Sequence, residues 1–96
     1  MKATLSPKAD ADLEEIGDYI AQDNPLRAAS FVREIREKVQ KLSVSARAYR
    51  SRDDLAEGLH AALHGRYMIV FRILENEIRV ERIVHGARDL KNMSFK

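Results

Sequence analysis

The 96-residue sequence contains no cysteine, so the chain has no disulfide bond, no thiolate nucleophile and no cysteine-ligated zinc. Long hydrophobic runs are also missing: the longest, Met68–Phe71, ends at Arg72, far short of the roughly 20 apolar residues of a membrane-spanning helix. Residues 1–10 carry no apolar signal region, so we expect a cytoplasmic protein that does not contact membranes. Because no glycine-rich phosphate loop and no complete metal-ligand set stand out, we expect no cofactor and no metal.

Composition predicts one small globular domain over residues 1–96. Hydrophobic residues make up 45% and charged residues 33% of the sequence, which is typical of a folded domain and not of a disordered chain. The formal net charge is only +2, but residues 1–23 carry two basic and six acidic side chains, and residues 24–52 carry eight basic and two acidic ones. Such a basic middle segment is either a solvated helix face or a surface for phosphate or an acidic protein.

Two amphipathic helices are predicted in the first half of the chain. Ser6-Pro7 and Asn24-Pro25 each combine a capping side chain with a proline that fits the first helical turn. Apolar residues then recur at helical spacing over Ala9–Ile20 and over Ala28–Leu42. The short connection predicts an antiparallel helix hairpin, and a polar loop is expected to follow from Ser43 to Glu57.

Four strands are predicted around this hairpin, one before it and three after it. They are Met1–Leu5, Leu59–Leu63, Tyr67–Leu74 and Ile78–His85. The order strand, helix, helix, strand, strand, strand predicts an α+β domain of two layers, in which the helix hairpin packs on an antiparallel sheet.

The turn at Glu75-Asn76 predicts a register for the last two strands. It pairs Ile73 with Ile78, Phe71 with Val80, and Tyr67 with Val84. These six residues are expected to face the helices. The opposite side, which includes Ile83, mixes apolar and charged residues as a solvated or partner-binding face does. Because this register turns Arg82 toward the core, we expect either a β-bulge or a pairing of that side chain with a helix acid.

Three segments carry a resemblance to a known family. Leu5–Ile20 opens with Leu-Ser-Pro and runs into the first helix, Gly65–Arg72 spans a strand, and Arg82–Asp89 reads Arg-Ile-Val-His-Gly-Ala-Arg-Asp. In this order and spacing they resemble the RelE/ParE superfamily of bacterial type II toxins, and the last segment resembles its ParE branch. The resemblance covers about residues 3–90 and implies the fold of that superfamily.

The resemblance implies a partner, a cognate antitoxin encoded beside the toxin, with operator DNA bound only through that antitoxin. For the ParE branch it implies inhibition of DNA gyrase, and for the RelE branch it implies cleavage of messenger RNA on the ribosome. A third interpretation is an inactive toxin-fold protein that binds only its antitoxin.

Arginines are the expected binding residues. Arg66 directly follows the turn at Gly65, and Arg88 follows the end of the last strand. Both arginines are expected to contact the target. The antitoxin is expected to dock across the helix hairpin and against the sheet, on basic residues of the second helix and of the following loop: Arg33, Arg36, Arg47, Arg50 and Arg52. No catalytic residue is expected, because His85 is the only titrating side chain nearby and Phe95 in the tail has no proton to give.

Overall fold

A computed structural model gives the fold of the chain and describes residues 1–90. The elements are β1 (Lys2–Leu5), α1 (Pro7–Ala21), α2 (Pro25–Ser45), a 3-10 helix (Ala46–Ala48), β2 (Leu59–His64), β3 (Tyr67–Ile73), β4 (Glu77–His85) and α3 (Gly86–Asp89). This order confirms the predicted α+β class. The prediction of a polar loop from residue 43 is wrong, because α2 and the 3-10 helix continue to residue 48. None of the described helices is long and apolar enough to cross a membrane.

Both predicted helix starts are confirmed by their capping hydrogen bonds. Ser6 Oγ and Asn24 Oδ1 each accept from the amide three residues later, at 3.1 and 3.0 Å. The proline after each cap lies in the first turn, where its missing N–H leaves no acceptor unpaired. The Ser6 hydroxyl also donates to the Glu81 carbonyl of β4 at 2.9 Å, so the same cap fixes the start of α1 to the sheet.

The sheet has the order β1-β4-β3-β2, with β2, β3 and β4 antiparallel and β1 parallel to β4. The sequence predicted the three antiparallel strands, whereas the parallel position of β1 was not predicted. β1 pairs only with residues 77–80 of β4. The second half of β4 therefore lies at an edge of the sheet, next to α1.

The predicted register of β3 and β4 holds for the first half of the pair and then shifts. Its first two pairs are confirmed, Ile73 with Ile78 and Phe71 with Val80. The next pair joins Val70 to Arg82, so that Glu81 is an extra residue in β4 and forms a β-bulge.

The prediction for the second half of β4 is consequently wrong. Tyr67 pairs with His85 and not with Val84, and Ile83 takes the place of Val84 in the core beneath the helices. A shift of one residue moves each side chain to the other face of a strand. Arg82 shows both features that its predicted position suggested, because it directly follows the bulge and also pairs with an acid of α1.

Hydrophobic clusters cover both faces of the sheet. The main core lies between the sheet and the hairpin and includes Leu13, Ile16, Phe31, Ile35, Val39, Leu42, Ile69, Phe71, Ile78, Val80 and Ile83. The opposite face was predicted to be solvated or to bind a partner, but Leu59, Met68, Val70 and Val84 are buried there by this chain's own residues. Leu55 and Ala56 of the preceding loop, together with Leu90, pack against this second cluster.

Candidate functional site

The two arginines predicted to bind a target lie at the same end of the sheet. Arg66 directly precedes β3 and Arg88 lies in α3, just after β4. The Gly86 amide donates to the Arg66 carbonyl at 3.0 Å, which brings the two chain segments together. Both side chains are exposed, and that of Arg88 is 60% exposed although its Nε lies 3.1 Å from Asp89 Oδ1.

A cleft of about 500 Å³ opens beside Arg88, between α1 and the second half of β4. Its walls are formed by Asp12, Glu15, Ile16, Tyr19, Tyr67, Arg82, Val84, Arg88 and Asp89. The cleft exists because β1 ends at Leu5, before the bulge, so no strand covers β4 there. We call Tyr19, Arg66, Tyr67 and Arg88 the sheet-end surface. Its tyrosines were not predicted as part of this surface.

Two carboxylates fill the hydrogen-bonding positions that a further strand would have taken along β4. Asp12 Oδ2 accepts from the Ile83 amide at 2.9 Å, and Asp89 Oδ2 accepts from the His85 amide at 3.0 Å. Each carboxylate also binds the neighbouring arginine. Capping of this kind protects an exposed strand edge from pairing with other chains. The position of Asp12 on the apolar face of its helix was a sequence signal for this role.

The two arginine–aspartate pairs differ in how firmly they hold the cation. Arg82 donates from Nε and Nη2 to both oxygens of Asp12 at 2.7 and 2.8 Å, and the two side chains are only 25% and 13% exposed. This contact raises the pKa of Arg82 above its usual value. In the second pair, the hydrogen bond from Arg88 lowers the pKa of Asp89, and the His85 amide acts in the same direction. Arg82 is thus fixed inside the fold, whereas Arg88 stays accessible.

His85 has a structural role at the start of α3. Its Nδ1 accepts from the Arg88 amide at 3.1 Å, and its ring meets the ring of Tyr67 edge-on at 5.4 Å between centroids. A ring nitrogen that accepts a hydrogen bond carries no proton, so in the neutral ring the proton lies on Nε2. In this arrangement neither ring nitrogen is free to act as a general base.

The five arginines predicted to bind an antitoxin are not equivalent. Arg33 and Arg36 are exposed on α2, and Arg47 and Arg50 are exposed in and just after the 3-10 helix. The guanidinium of Arg52 is instead held by both carboxylate oxygens of its loop neighbour Asp54, each at 2.9 Å. The first four therefore have exposed side chains, whereas Arg52 is engaged within its own loop.

A groove runs along the outer side of the hairpin, and we call it the hairpin groove. Small or half-buried apolar residues line its floor: Gly17, Ala21, Ala28, Ala29 and Val32. A Cβ atom at Gly17 would lie 3.2 Å from Val32 Cγ2, so the two helices are in close contact at this glycine. Acidic residues of α1 form one rim, and Arg36 lies on the α2 side.

The histidines within the described part of the chain are kept apart. His60 and His64 are four residues apart, but on an extended strand this spacing separates them by about 13 Å. His60 stacks on Phe71, whereas His64 Nε2 lies 2.9 Å from Glu34 Oε1. Within residues 1–90, no group of three or more potential ligands could hold a metal ion. Phe95 lies outside the described residues.

Comparison with known proteins identifies the family. The family model for the "ParE toxin of type II toxin-antitoxin system, parDE" matches residues 3–90. No curated protein matches the chain. Nine chains of solved structures do match it. One of them, from a chromosomal ParDE toxin–antitoxin system of P. aeruginosa, is 27% identical, with 88% of this chain and 95% of that chain covered and a TM-score of 0.79. Because the family model spans nearly the whole chain, the protein belongs to the ParE toxin family of type II toxin–antitoxin systems.

Proposed function

We propose that this chain is a ParE toxin that stops bacterial growth by binding DNA gyrase and that a cognate antitoxin neutralises it. The observation that carries the proposal is the match of the ParE family model over residues 3–90. The similar solved structure comes from a ParDE system, which supports an antitoxin as the partner of this chain.

The target contact is assigned to the sheet-end surface. Arg66 and Arg88 are exposed cations on adjoining chain segments, and Tyr19, which lines the cleft together with Arg88, is 60% exposed. Cations next to aromatic rings are suited to an acidic protein surface, since arginine forms charge-assisted hydrogen bonds with carboxylates. Such a contact inhibits by occupying the target and needs no bond to be broken.

Binding is favoured over ribonuclease chemistry by the geometry of His85. RNA cleavage through the ribose 2′-hydroxyl needs a group that takes up a proton and a group that gives one. His85 Nδ1 already accepts from the Arg88 amide, and the ring packs on Tyr67. The ribosome-dependent ribonuclease remains the second candidate function, because Arg66 and Arg88 are also suited to phosphate.

The antitoxin is assigned to the hairpin groove and its basic side. Arg36 lines the groove, and Arg33 is exposed on the adjoining surface of α2. The groove has an apolar floor and a volume of about 670 Å³. Arg47 and Arg50 extend the basic surface beyond the end of α2. An antitoxin segment with apolar side chains, and with acidic residues on the side that faces the arginines of α2, suits this surface, and operator DNA is then bound through the antitoxin alone.

Controlled expression in a bacterium tests the proposal. We expect growth to stop, with DNA synthesis failing and a DNA-damage response appearing before translation declines. Co-expression of the product of the neighbouring reading frame should restore growth. Rapid ribosome-dependent cleavage of messenger RNA would move the chain to the ribonuclease branch, and normal growth at a high level of soluble protein would indicate an inactive toxin fold.

A further inference from the structure

We propose that the hairpin groove joins two copies of this chain in a symmetric dimer when no antitoxin is present. The dimer goes beyond the proposed function, since it involves only this chain. It uses the same surface that we assign to the antitoxin, so the antitoxin and the second copy compete for it. The charge pattern of this surface is complementary to itself.

The two helices of the hairpin carry opposite charges along the groove. On α1, Asp10, Glu14 and Asp18 are exposed and recur every four residues, which places them in one row. On α2, Arg33 and Arg36 are exposed, and Glu37 is the only acid lining the adjoining surface. Within residues 1–90, none of the three acids and neither arginine forms an ion pair. Both charged rows are therefore free to meet a partner.

Because α1 and α2 are antiparallel, the contact between Gly17 and Val32 determines which charged residues of the two helices lie at the same position along the helix axes. Gly17 lies level with Val32, because a Cβ atom on the glycine would touch that side chain. Glu14, three residues earlier on α1, is then level with residue 35 of α2 and lies beside Arg36 along the helix axis. By the same counting, Asp18 lies about two residues from the level of Arg33.

Of two face-to-face arrangements with two-fold symmetry, one brings unlike charges together and the other does not. A two-fold axis parallel to the helices lays α1 of each copy over α2 of the other, so that Glu14 meets Arg36 twice. A two-fold axis across the helices would instead lay α1 on α1, with acid facing acid. Charge complementarity therefore selects the parallel axis, and it also sets α1 antiparallel to the α2 helix that it covers.

The apolar floor supports close contact but limits the strength of the dimer. Ala21, Ala28 and Ala29 have small side chains, which let helices of two copies approach closely. The 15 residues of α1 span about 22 Å. With two helices side by side, the face is about 450 Å² per copy, below the roughly 800 Å² of a standard interface. We therefore expect a weak dimer that an antitoxin readily displaces.

Sedimentation equilibrium of the purified chain without antitoxin tests the dimer, at low salt and from about 1 to 100 µM, the range of weak dissociation constants. The wild-type chain should dimerise with increasing concentration. Glu14→Lys and Arg36→Glu should each weaken the dimer at least about tenfold, because each places like charges in contact twice. The double variant Glu14→Lys/Arg36→Glu should regain most of the wild-type affinity.

The control is Glu75→Lys, which makes the same charge change in the exposed β3–β4 turn and should leave dimerisation unchanged. Circular dichroism checks folding, and the pair Asp18→Lys and Arg33→Glu replaces the first pair if one variant misfolds. A chain that stays monomeric at every concentration overturns the proposal. So does a dimer that ignores the single reversals, or one that the double reversal does not restore. None of these results depends on gyrase or on antitoxin binding, so the proposed function is tested separately.

Discussion

At the scale of single residues, the arginines differ in the carboxylate contacts that hold them. Arg82 is bound at two points by the largely buried Asp12, and Arg52 is bound at two points within its loop. Arg88 has one ion-pair contact and remains 60% exposed, and Arg66 forms no ion pair within the part of the chain that the structure describes. Exposed cations with few internal contacts lose least when they bind a partner, which is why Arg66 and Arg88 are assigned to the target.

Arg66→Ala and Arg88→Ala should each weaken toxicity without unfolding the protein. Loss of one charge-assisted contact costs a complex about 1–3 kcal/mol, which corresponds to a graded loss and not to complete inactivity. The measurement is growth arrest at matched levels of soluble protein, with circular dichroism to check the fold.

His85→Gln should leave toxicity in place and reduce stability only modestly, because it removes a single capping hydrogen bond, the one from the Arg88 amide, and loss of a helix cap costs about 1 kcal/mol. If His85 were a general base, its loss would lower the rate by roughly 100- to 10,000-fold. Abolished toxicity in a stable His85→Gln protein, with both arginine variants fully toxic, would contradict the binding account.

The Asp89 carboxylate should make the stability of the folded protein decrease at acid pH. Its pKa in the folded state is lowered, first by Arg88 and also by the His85 amide. The carboxylate therefore stabilises the fold above its unfolded pKa of about 3.9, and this contribution is lost as the pH falls through the lower folded value. Asp89→Asn should thus lower the urea midpoint at neutral pH and have less effect at about pH 3. Glu75→Gln, in an exposed turn, serves as the control, and an Asp89→Asn effect that is equal at all pH values would contradict this role.

At the scale of elements, the start of α1 and the middle of β4 form one structural unit. The Ser6 hydroxyl donates to the Glu81 carbonyl at the bulge, and Asp12 accepts from the Ile83 amide just beyond it. These contacts fix the register shift that turns Ile83 into the core and Val84 to the other face. The bulge thereby sets how β4 leads into α3 and the sheet-end surface.

Asp12→Ala should destabilise the protein by about 2–4 kcal/mol, because it leaves the Arg82 guanidinium without its counterion and the Ile83 amide without an acceptor. Urea unfolding measures the change. Arg82→Met should lower the free energy of unfolding much less in the Asp12→Ala protein than in the wild-type protein, since the two side chains are coupled. Glu15→Ala, an exposed neighbour on α1, should change stability by less than about 0.5 kcal/mol. Additive effects of Asp12→Ala and Arg82→Met would contradict the coupling.

Local sequence patterns predicted the helices and strands. The bulge, the burial of the second sheet face and the proximity of Arg66 to Arg88 depend on contacts between residues that are distant in sequence. The caps Ser6 and Asn24 and the apolar stripes of both helices depend on neighbouring residues, so the sequence alone predicted them. The position of Arg82 in the predicted register suggested a bulge or a pairing with a helix acid, but the identity of that acid, Asp12, depends on a contact 70 residues away in the chain. Burial of the second sheet face depends in the same way on Leu55 and Leu90 folding over it. For the site, Arg66 and Arg88 were predicted, whereas their proximity required the Gly86 hydrogen bond to Arg66.

At the scale of the whole molecule, the fold separates the two surfaces to which we assign different partners. The sheet-end surface is assigned to the target, and the hairpin groove is assigned to the antitoxin or to a second copy. Asp12 and Ile16 of α1 line the cleft beside the first surface, whereas Asp10 and Glu14 line the groove, so this helix contributes to both. A molecule bound in the hairpin groove can therefore affect the sheet-end surface in two ways. It can act through α1, or it can extend over the sheet-end surface and cover it.

The central claim is that this chain acts on gyrase by binding, and a supercoiling assay tests it most directly. Purified chain is added to gyrase, ATP and relaxed plasmid, with no ribosome present. The account predicts that supercoiling falls with increasing toxin, that His85→Gln protein inhibits as well as wild type, and that Arg66→Ala and Arg88→Ala proteins require higher concentrations. Unchanged supercoiling by a folded chain that still arrests growth in cells would contradict the account.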